Sequence, residues 1–211
     1  EQGQKMKLIK STIALAVGLV TSSAFANDTI TIEDIPKIQS VGQTAVDPEG
    51  ELVAFTRSVP RELYIDANGS NYSELYVVDD KGVERPFITG KVSIRSIQWS
   101  ADGDFIYFLT KKKTDKFTSL YRIAANGGES QKVLSLDGTS ISSYKLNPNG
   151  KQVAILAMPA KDKTEKELKK LGFMAEVYEL GLKNKQLHLV DLVQSEKALK
   201  PTAVEIEGYV S

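Results

Sequence analysis

The stretch that decides the fold spans residues 97–108 and reads Ile-Gln-Trp-Ser-Ala-Asp-Gly-Asp-Phe-Ile-Tyr-Phe. Ile97 and Trp99 alternate with polar residues, which is typical of a strand with one buried face. Asp102-Gly103 is a turn dipeptide, because glycine adopts positive φ without steric cost. The apolar run that begins at Ile106 consists of strand-forming residues. The stretch therefore predicts a strand, a tight turn and a second strand.

The same pattern occurs three times in the chain. Val46-Asp-Pro-Glu-Gly50 and Leu146-Asn-Pro-Asn-Gly150 each precede an apolar run, as the first stretch does. A serine stands ten residues before each turn glycine, and a later strand follows each hairpin. These repeated elements are Ser40, Ser93 and Ser140, and the strands 75–79, 120–124 and 187–191. A repeat of roughly 40–50 residues with four strands is the period of a β-propeller blade, which must stack on its neighbours to bury its faces.

We therefore predict an all-β fold, a partial β-propeller of about three four-stranded blades with WD40-like or TolB-like repeats. The blades are expected at about 38–89, 92–136 and 140–206, and residues 208–211 begin a fourth. The chain is accordingly expected to be a fragment, with 27–211 forming an incomplete N-terminal propeller domain. Trp99 occupies the repeat position of the apolar residues Val46 and Leu146, so we expect it in the core between blades.

The third repeat carries an insertion of roughly 25 residues, 159–185, between its second and third strands. Its first part is expected to be a short helix. Thr164 to Glu167 fits a capping box, and Gly172 stands where a helix ends. Glu176 and Glu179 follow; on a helix, two residues three apart lie on one face. A solvated face and a structural ion pair are the simplest interpretations of these two carboxylates.

The N-terminus reads as an export signal. Basic residues 6–10 precede the apolar run 13–20, and Ala24-Phe-Ala26 is a small-x-small cleavage site. We expect cleavage after Ala26 and a periplasmic or secreted location. A membrane anchor is the alternative, but the apolar run is short for a spanning helix. Residues 1–5 precede the first methionine and are excluded from the fold.

Composition excludes several classes of function. Without residues 1–26 the chain has 24 basic and 26 acidic residues, so we expect no nucleic-acid partner. It has no cysteine, hence no disulfide and no thiolate metal site. Residues 66–71 have some likeness to a calcium loop, but the glycine stands at the fourth position and the twelfth position holds Val77 instead of glutamate. We predict no metal, no cofactor, and no membrane partner once the signal is removed.

No catalytic centre can be assembled from this sequence. It lacks a G-x-S-x-G nucleophile elbow, and its only histidine, His188, stands on an alternating strand. A serine nucleophile needs a base within reach and a third group to orient that base. We therefore assign no catalytic residue to this chain.

The W-S-x-D-G turn, the strand after it and the later L-Y-x-x-D strand resemble the propeller repeats of the prolyl oligopeptidase family of serine peptidases. The acylaminoacyl-peptidase and dipeptidyl-aminopeptidase branches are the most similar, over about residues 31–211. The resemblance implies an exported peptidase that cleaves short peptides, with the propeller limiting access. It also implies a catalytic α/β-hydrolase domain, absent from this chain, as the propeller's partner. Glu176 and Glu179 would then be candidates to bind the free amino terminus of a peptide substrate.

A second function accounts for the same repeats. Periplasmic propellers of the TolB type use a similar pattern, bind partner proteins and have no catalytic centre. The sequence of these three repeats is compatible with both functions.

Overall fold

The computed structural model describes residues 31, 32, 34–160, 167, 170–173, 184–192 and 202–204. The chain divides into two compact units, residues 1–35 and 36–211. In the first unit, the backbone N–H and hydroxyl of Thr31 donate to Asp34 Oδ2 at 3.1 and 2.8 Å. A single turn of 3₁₀-helix spans Ile35–Lys37. Among the described residues, no helix has the length and apolar character needed to cross a bilayer.

The described strands of the second unit form three four-stranded antiparallel sheets, which confirms the predicted all-β, partial-propeller fold. We call these sheets blades one, two and three. Blade one holds β1 (Ser40–Val46), β2 (Leu52–Val59), β3 (Tyr72–Asp79) and β4 (Glu84–Ile88). Blade two holds β5 (Arg95–Trp99), β6 (Phe105–Thr110), β7 (Ser119–Ala124) and β8 (Gln131–Leu134). Blade three holds β9 (Ile141–Leu146), β10 (Gln152–Ala157), β11 (Gln186–Asp191) and β12 (Thr202–Val204).

The first hairpin of every blade closes with the same turn, as the repeat predicts. The glycine N–H of Gly50, Gly103 and Gly150 donates to the carbonyl three residues earlier, at 3.2, 3.1 and 2.9 Å. All three glycines have φ between +70° and +79°. Aspartate, serine and asparagine at the first turn position and glycine at the last are the residues that this turn favours. The repeated sequence therefore fixes a repeated backbone geometry.

Two apolar interfaces join the blades, and blade two contributes to both. Successive residues of a strand point to opposite faces, so Ile106 and Phe108 face blade one while Tyr107 and Leu109 face blade three. The buried residues of the first interface are Ala54, Leu75, Val77, Ile94, Trp99, Ile106, Phe108, Tyr121 and Ile123. Those of the second are Tyr107, Leu109, Leu120, Leu134, Leu136, Ile141, Leu146, Val153, Ile155, Ala157 and Val190.

Trp99 lies in the first interface, which confirms its predicted place in the core. It is 6% exposed, and its indole N–H donates to the carbonyl of Ala45 at 2.9 Å. The side-chain oxygen of Gln43 accepts hydrogen bonds from the backbone N–H groups of Ser96 and Ile97. The first strands of blades one and two are therefore joined by polar bonds as well as by packing.

The repeated serines have a structural role where one blade meets the next. Ser73, at the start of β3, pairs with Ser93 in a parallel bridge, and its hydroxyl donates to Ile94 O at 2.7 Å. At the next junction, Ser140 Oγ accepts from Thr118 N at 3.1 Å. In both places the connection to the following blade is tied to the third strand of the blade before it.

The described part of the blade-three insertion agrees with a helix end. Leu171 N donates to Glu167 O at 3.1 Å, a helical i to i−4 bond, and Gly172 has φ +87°. The predicted capping residue Thr164 and the start of a fourth blade at 208–211 lie outside the described residues.

Candidate functional site

The blades have two different ends, because antiparallel strands place alternate connections on opposite sides. Successive first strands are joined by hydrogen bonds that Gln43 and Gln98 accept and that Trp99 donates, and these bonds show that the blades run in the same direction. We call one side the turn end, formed by residues 47–51, 80–83, 100–104, 125–130 and 147–151. We call the other the loop end, formed by residues 60–71, 89–94, 111–118, 135–140 and the described residues of the connection from β10 to β11, which are 158–160, 167, 170–173, 184 and 185.

The long loop of blade one, residues 60–71, is held by Arg61. Its guanidinium donates to Ser70 O at 2.7 Å, to Ala67 O at 3.2 Å and to the Tyr72 hydroxyl at 3.0 Å, and lies 4.4 Å from the Tyr72 ring centroid. One planar cation thus satisfies carbonyls that a loop otherwise leaves to water. The loop has a defined conformation although its sequence is polar.

Asp66 closes the same loop. Its carboxylate is paired with Lys91, accepts the Glu62 N–H at 3.0 Å, and is only 6% exposed. The hydrogen bond from Lys91, with that from Glu62, lowers the pKa of Asp66 to about 2. Asp66 is thus engaged by a protein cation. No group of three possible metal-ligating side chains occurs within the described residues.

Blade two repeats this arrangement at Asp115. Its carboxylate accepts the Lys112 N–H at 3.1 Å and the Tyr121 hydroxyl at 2.6 Å, and pairs with Lys132. Burial acts to raise the pKa of Asp115, but the hydrogen bonds from Lys132, Tyr121 and Lys112 outweigh it and hold the pKa below its ordinary value. Burial and the bond to Asp115 raise the pKa of the Tyr121 phenol. The group is therefore a fixed carboxylate beside a neutral phenol.

A cleft of about 490 Å³ lies over this carboxylate, lined by residues of blade two and of the connection that follows its last strand. Its lining combines cations, carboxylates and hydroxyls: Thr114, Asp115, Lys116, Phe117, Ser119, Lys132, Ser135, Leu136, Asp137 and Gly138. Such a lining can hydrogen-bond a polar ligand with charges of both signs. We take this cleft as the candidate functional site of the described chain.

The start of the blade-three insertion lies against Gly138, one of the residues that line this cleft. Gly138 has φ +80°, and a Cβ atom at this position would lie 2.9 Å from the Cβ of Ala160. Glycine is therefore required both by the backbone conformation and by the close approach of residue 160. The connection from blade two to blade three thus packs directly against the insertion.

The residues that the sequence nominated do not lie in this cleft as far as the structure describes it. Glu176, Glu179 and the cleavage residue Ala26 lie outside the described residues. His188 stands on β11 opposite Ile155, a residue of the second interface, and its Nδ1 is buried without a hydrogen-bond partner among the described residues. Sequence patterns do not point to Asp115, Lys132 and Tyr121, because their contacts join the connection before β7 to side chains of β7 and β8.

No family model matches the chain, and no curated protein matches it. Solved structures do match. They include acylaminoacyl peptidase from Pyrococcus horikoshii, with 11% identity and a TM-score of 0.58 over 80% of this chain and 26% of that one. A TolB protein from Agrobacterium tumefaciens matches with 16% identity and a TM-score of 0.50, over 77% of this chain and 48% of that one.

A structure from a study of two prolyl endopeptidases also matches, with 16% identity and a TM-score of 0.50 over 77% of this chain and 22% of that one. The chain thus spans less than half of the length of each of these three proteins. At these identities the matches establish the fold: a partial propeller of the kind found in these peptidases and in TolB.

Proposed function

We propose that this chain is the propeller part of an exported serine peptidase that resembles the prolyl oligopeptidase family and hydrolyses short peptides. The observation that supports this most is the similarity to acylaminoacyl peptidase, with a TM-score of 0.58 against 0.50 for the TolB protein. The order of elements along the sequence, an expected export signal, a short lead-in at residues 32–35 and then the first blade, supports it as well because it resembles the order in these peptidases.

In this proposal the described residues position and select the peptide, and another domain of the protein carries out the hydrolysis. Acyl transfer needs an activated nucleophile, a base and donors for the oxyanion. A catalytic α/β-hydrolase domain of the full-length protein would supply these groups. The propeller would limit access to peptides, and the polar cleft over Asp115 would contact the peptide on its way. Glu176 and Glu179 remain candidates for binding its amino terminus.

The test uses the natural full-length protein, captured from a periplasmic extract with antibodies against the propeller. We expect a fluorophosphonate probe to label the captured polypeptide, and aminoacyl or prolyl nitroanilides to be hydrolysed in a probe-sensitive manner. A captured polypeptide that neither reacts with the probe nor hydrolyses these substrates would contradict the peptidase proposal.

The alternative is a non-catalytic propeller that binds partner proteins, as proposed for the TolB-type repeat pattern. The similarity to the Agrobacterium tumefaciens TolB protein favours it, since the chain covers 48% of that protein. In the same experiment this function predicts an unlabelled polypeptide that is captured together with a second protein at fixed stoichiometry.

A further inference from the structure

The two ends of the blades differ in apolar exposure. Blade one presents Leu63, Tyr64 and Ile65 at the loop end, with exposed fractions of 62%, 104% and 67%. In the connection from β10 to β11 of blade three, Leu171 and Phe173 are both more than half exposed. At the turn end, Val83 is the only large apolar residue of the described connections that is exposed to this degree. Exposed apolar side chains in such a group mark a binding surface rather than random scatter.

The two ends also differ in charge. The described connections of the loop end contain eight basic and five acidic residues, whereas those of the turn end contain two basic and seven acidic residues. Two of the loop-end carboxylates, Asp66 and Asp115, are already paired with Lys91 and Lys132. A chain with no net charge is therefore polarised along its blades, and its basic end is also its apolar end.

The apolar tip of blade one is held outward by a defined loop. Ile65 N and Asp66 N both donate to Glu62 O, at 3.3 and 3.0 Å, which closes a turn with Leu63 and Tyr64 at its apex. Tyr64 has φ +67°, a conformation that L residues rarely adopt. Strained residues of this kind persist where a binding surface requires them.

We propose that the loop end is a peripheral membrane-binding surface for anionic phospholipid. The Leu63-Tyr64-Ile65 tip enters the interfacial layer, where an aromatic ring with a polar end is favoured. The exposed amines of Lys111 and Lys113 contact the headgroups. The acidic turn end faces away from the membrane. The sequence predicts no membrane partner after residue 26, because this surface is assembled from connections of separate blades and not from one hydrophobic segment.

Charge and shape favour lipid over the other occupants. A second copy of the chain would bring two basic ends together. A protein partner would need a pocket shaped for three consecutive apolar side chains, whereas a fluid lipid layer accommodates them without a preformed pocket. The proposal does not depend on the peptidase activity, and the following experiment measures no catalysis.

The experiment is co-sedimentation of the full chain with vesicles of phosphatidylglycerol and phosphatidylcholine, and with vesicles of phosphatidylcholine alone. We expect binding to the anionic vesicles at low ionic strength, and binding about tenfold weaker both to neutral vesicles and in high salt. Equal binding to both vesicles, or none to either, would overturn the proposal.

Tyr64→Gly tests the tip without endangering the fold, because glycine adopts positive φ without strain. We expect binding to the anionic vesicles to fall about tenfold, with the midpoint of urea unfolding unchanged or higher. Val83→Ser is the matched control at the turn end and should bind as the unaltered chain does. Residues 1–26 are identical in every protein, so differences between variants report on the tip alone.

The charge variants follow the same design. Lys111→Glu with Lys113→Glu should weaken binding to the anionic vesicles about tenfold, whereas Lys81→Glu at the turn end should leave it unchanged. Unaltered vesicle binding by Tyr64→Gly or by the lysine pair would overturn the proposal. So would the case in which these variants lose a co-purifying periplasmic protein instead, which would identify the surface as a protein interface.

Discussion

Blade two and blade three contain similar strands in different surroundings. In β6 of blade two, every residue from Ile106 to Thr110 is buried, because both faces of the blade are covered. In β10 of blade three, burial alternates: Val153, Ile155 and Ala157 are buried, while Ala154 and Leu156 on the opposite face are half-buried. The difference shows that the second strand of this repeat carries apolar residues on both faces. The described residues cover both faces in blade two and only one face in blade three.

The outer faces of blades one and three differ as well. On blade one, Phe55 stacks on Tyr76, with 5.7 Å between ring centroids, and the Arg57 guanidinium lies over both rings, at 5.6 and 4.1 Å. Glu84 holds Arg57 in place. A cation thus covers the apolar part of this face. On blade three the corresponding surface presents Leu189, 41% exposed, beside half-buried Leu187.

The largest expected effect comes from matched leucines on the covered and uncovered faces. Leu109 is fully buried in the second interface, so Leu109→Ala should lower the free energy of unfolding by about 2–5 kcal/mol. Leu189→Ala on the outer face of blade three should cost less than about 1 kcal/mol. Urea unfolding followed by the fluorescence of Trp99 measures both. Similar losses for the two variants would show that the outer face is as well packed as the interface.

The next largest expected effect comes from removing a buried charge of blade two, the carboxylate of Asp115. Asp115→Asn removes the charge that pairs with Lys132 and replaces one of the two acceptor oxygens with an amide donor, and we expect a loss of about 1–2 kcal/mol in the free energy of unfolding. Asp137→Asn is the control, since Asp137 is exposed on the rim of the same cleft and should change stability by less than about 0.5 kcal/mol. Equal effects would mean that the Asp115 contacts contribute nothing to the fold.

Sequence reasoning predicted the parts of the structure that depend on local chemistry. The three turns follow from residues within one hairpin, and the place of Trp99 follows from its position in the repeat. The cleft could not be predicted, since Asp115 meets Lys132 only when β7 and β8 pair. The run Lys111–Lys113 reads as a solvent-facing tip, yet Lys112 lies 4.8 Å from the Tyr121 ring centroid and donates to Ser130 O. The pattern of apolar residues along a strand likewise does not show whether another blade covers its second face.

Gly138 and Gly82 distinguish the cost of backbone strain from the cost of a steric contact, because their backbone conformations are alike. Gly138 and Gly82 have φ of +80° and +78°, but only a Cβ at position 138 would meet another residue. Gly82→Ala should cost about 1 kcal/mol for the backbone alone. Gly138→Ala should cost about 1 kcal/mol more, because Ala160 must move. Equal losses in thermal unfolding would show that the rim of the cleft yields without cost.

The smallest expected effect is a loss of folding stability at acidic pH. The pKa values of Asp66 and Asp115 are lower in the folded chain than the ordinary aspartate value, Asp66 being at about 2. A depressed folded pKa stabilises above the unfolded pKa, so this stability is present above about pH 4 and is lost as pH falls towards 2. Urea unfolding at a series of pH values should show the loss. Asp115→Asn and Asp66→Asn should each flatten the dependence of stability on pH.

The central claim of this comparison is that the described residues leave the outer face of blade three open, with Leu189 exposed on it, and light scattering of residues 27–211 over a range of protein concentrations tests this claim most directly. We expect concentration-dependent association, which Leu189→Lys on the outer face reduces and Val83→Lys at the turn end does not. A monodisperse monomer at all concentrations, or association that Leu189→Lys leaves unchanged, would contradict the account.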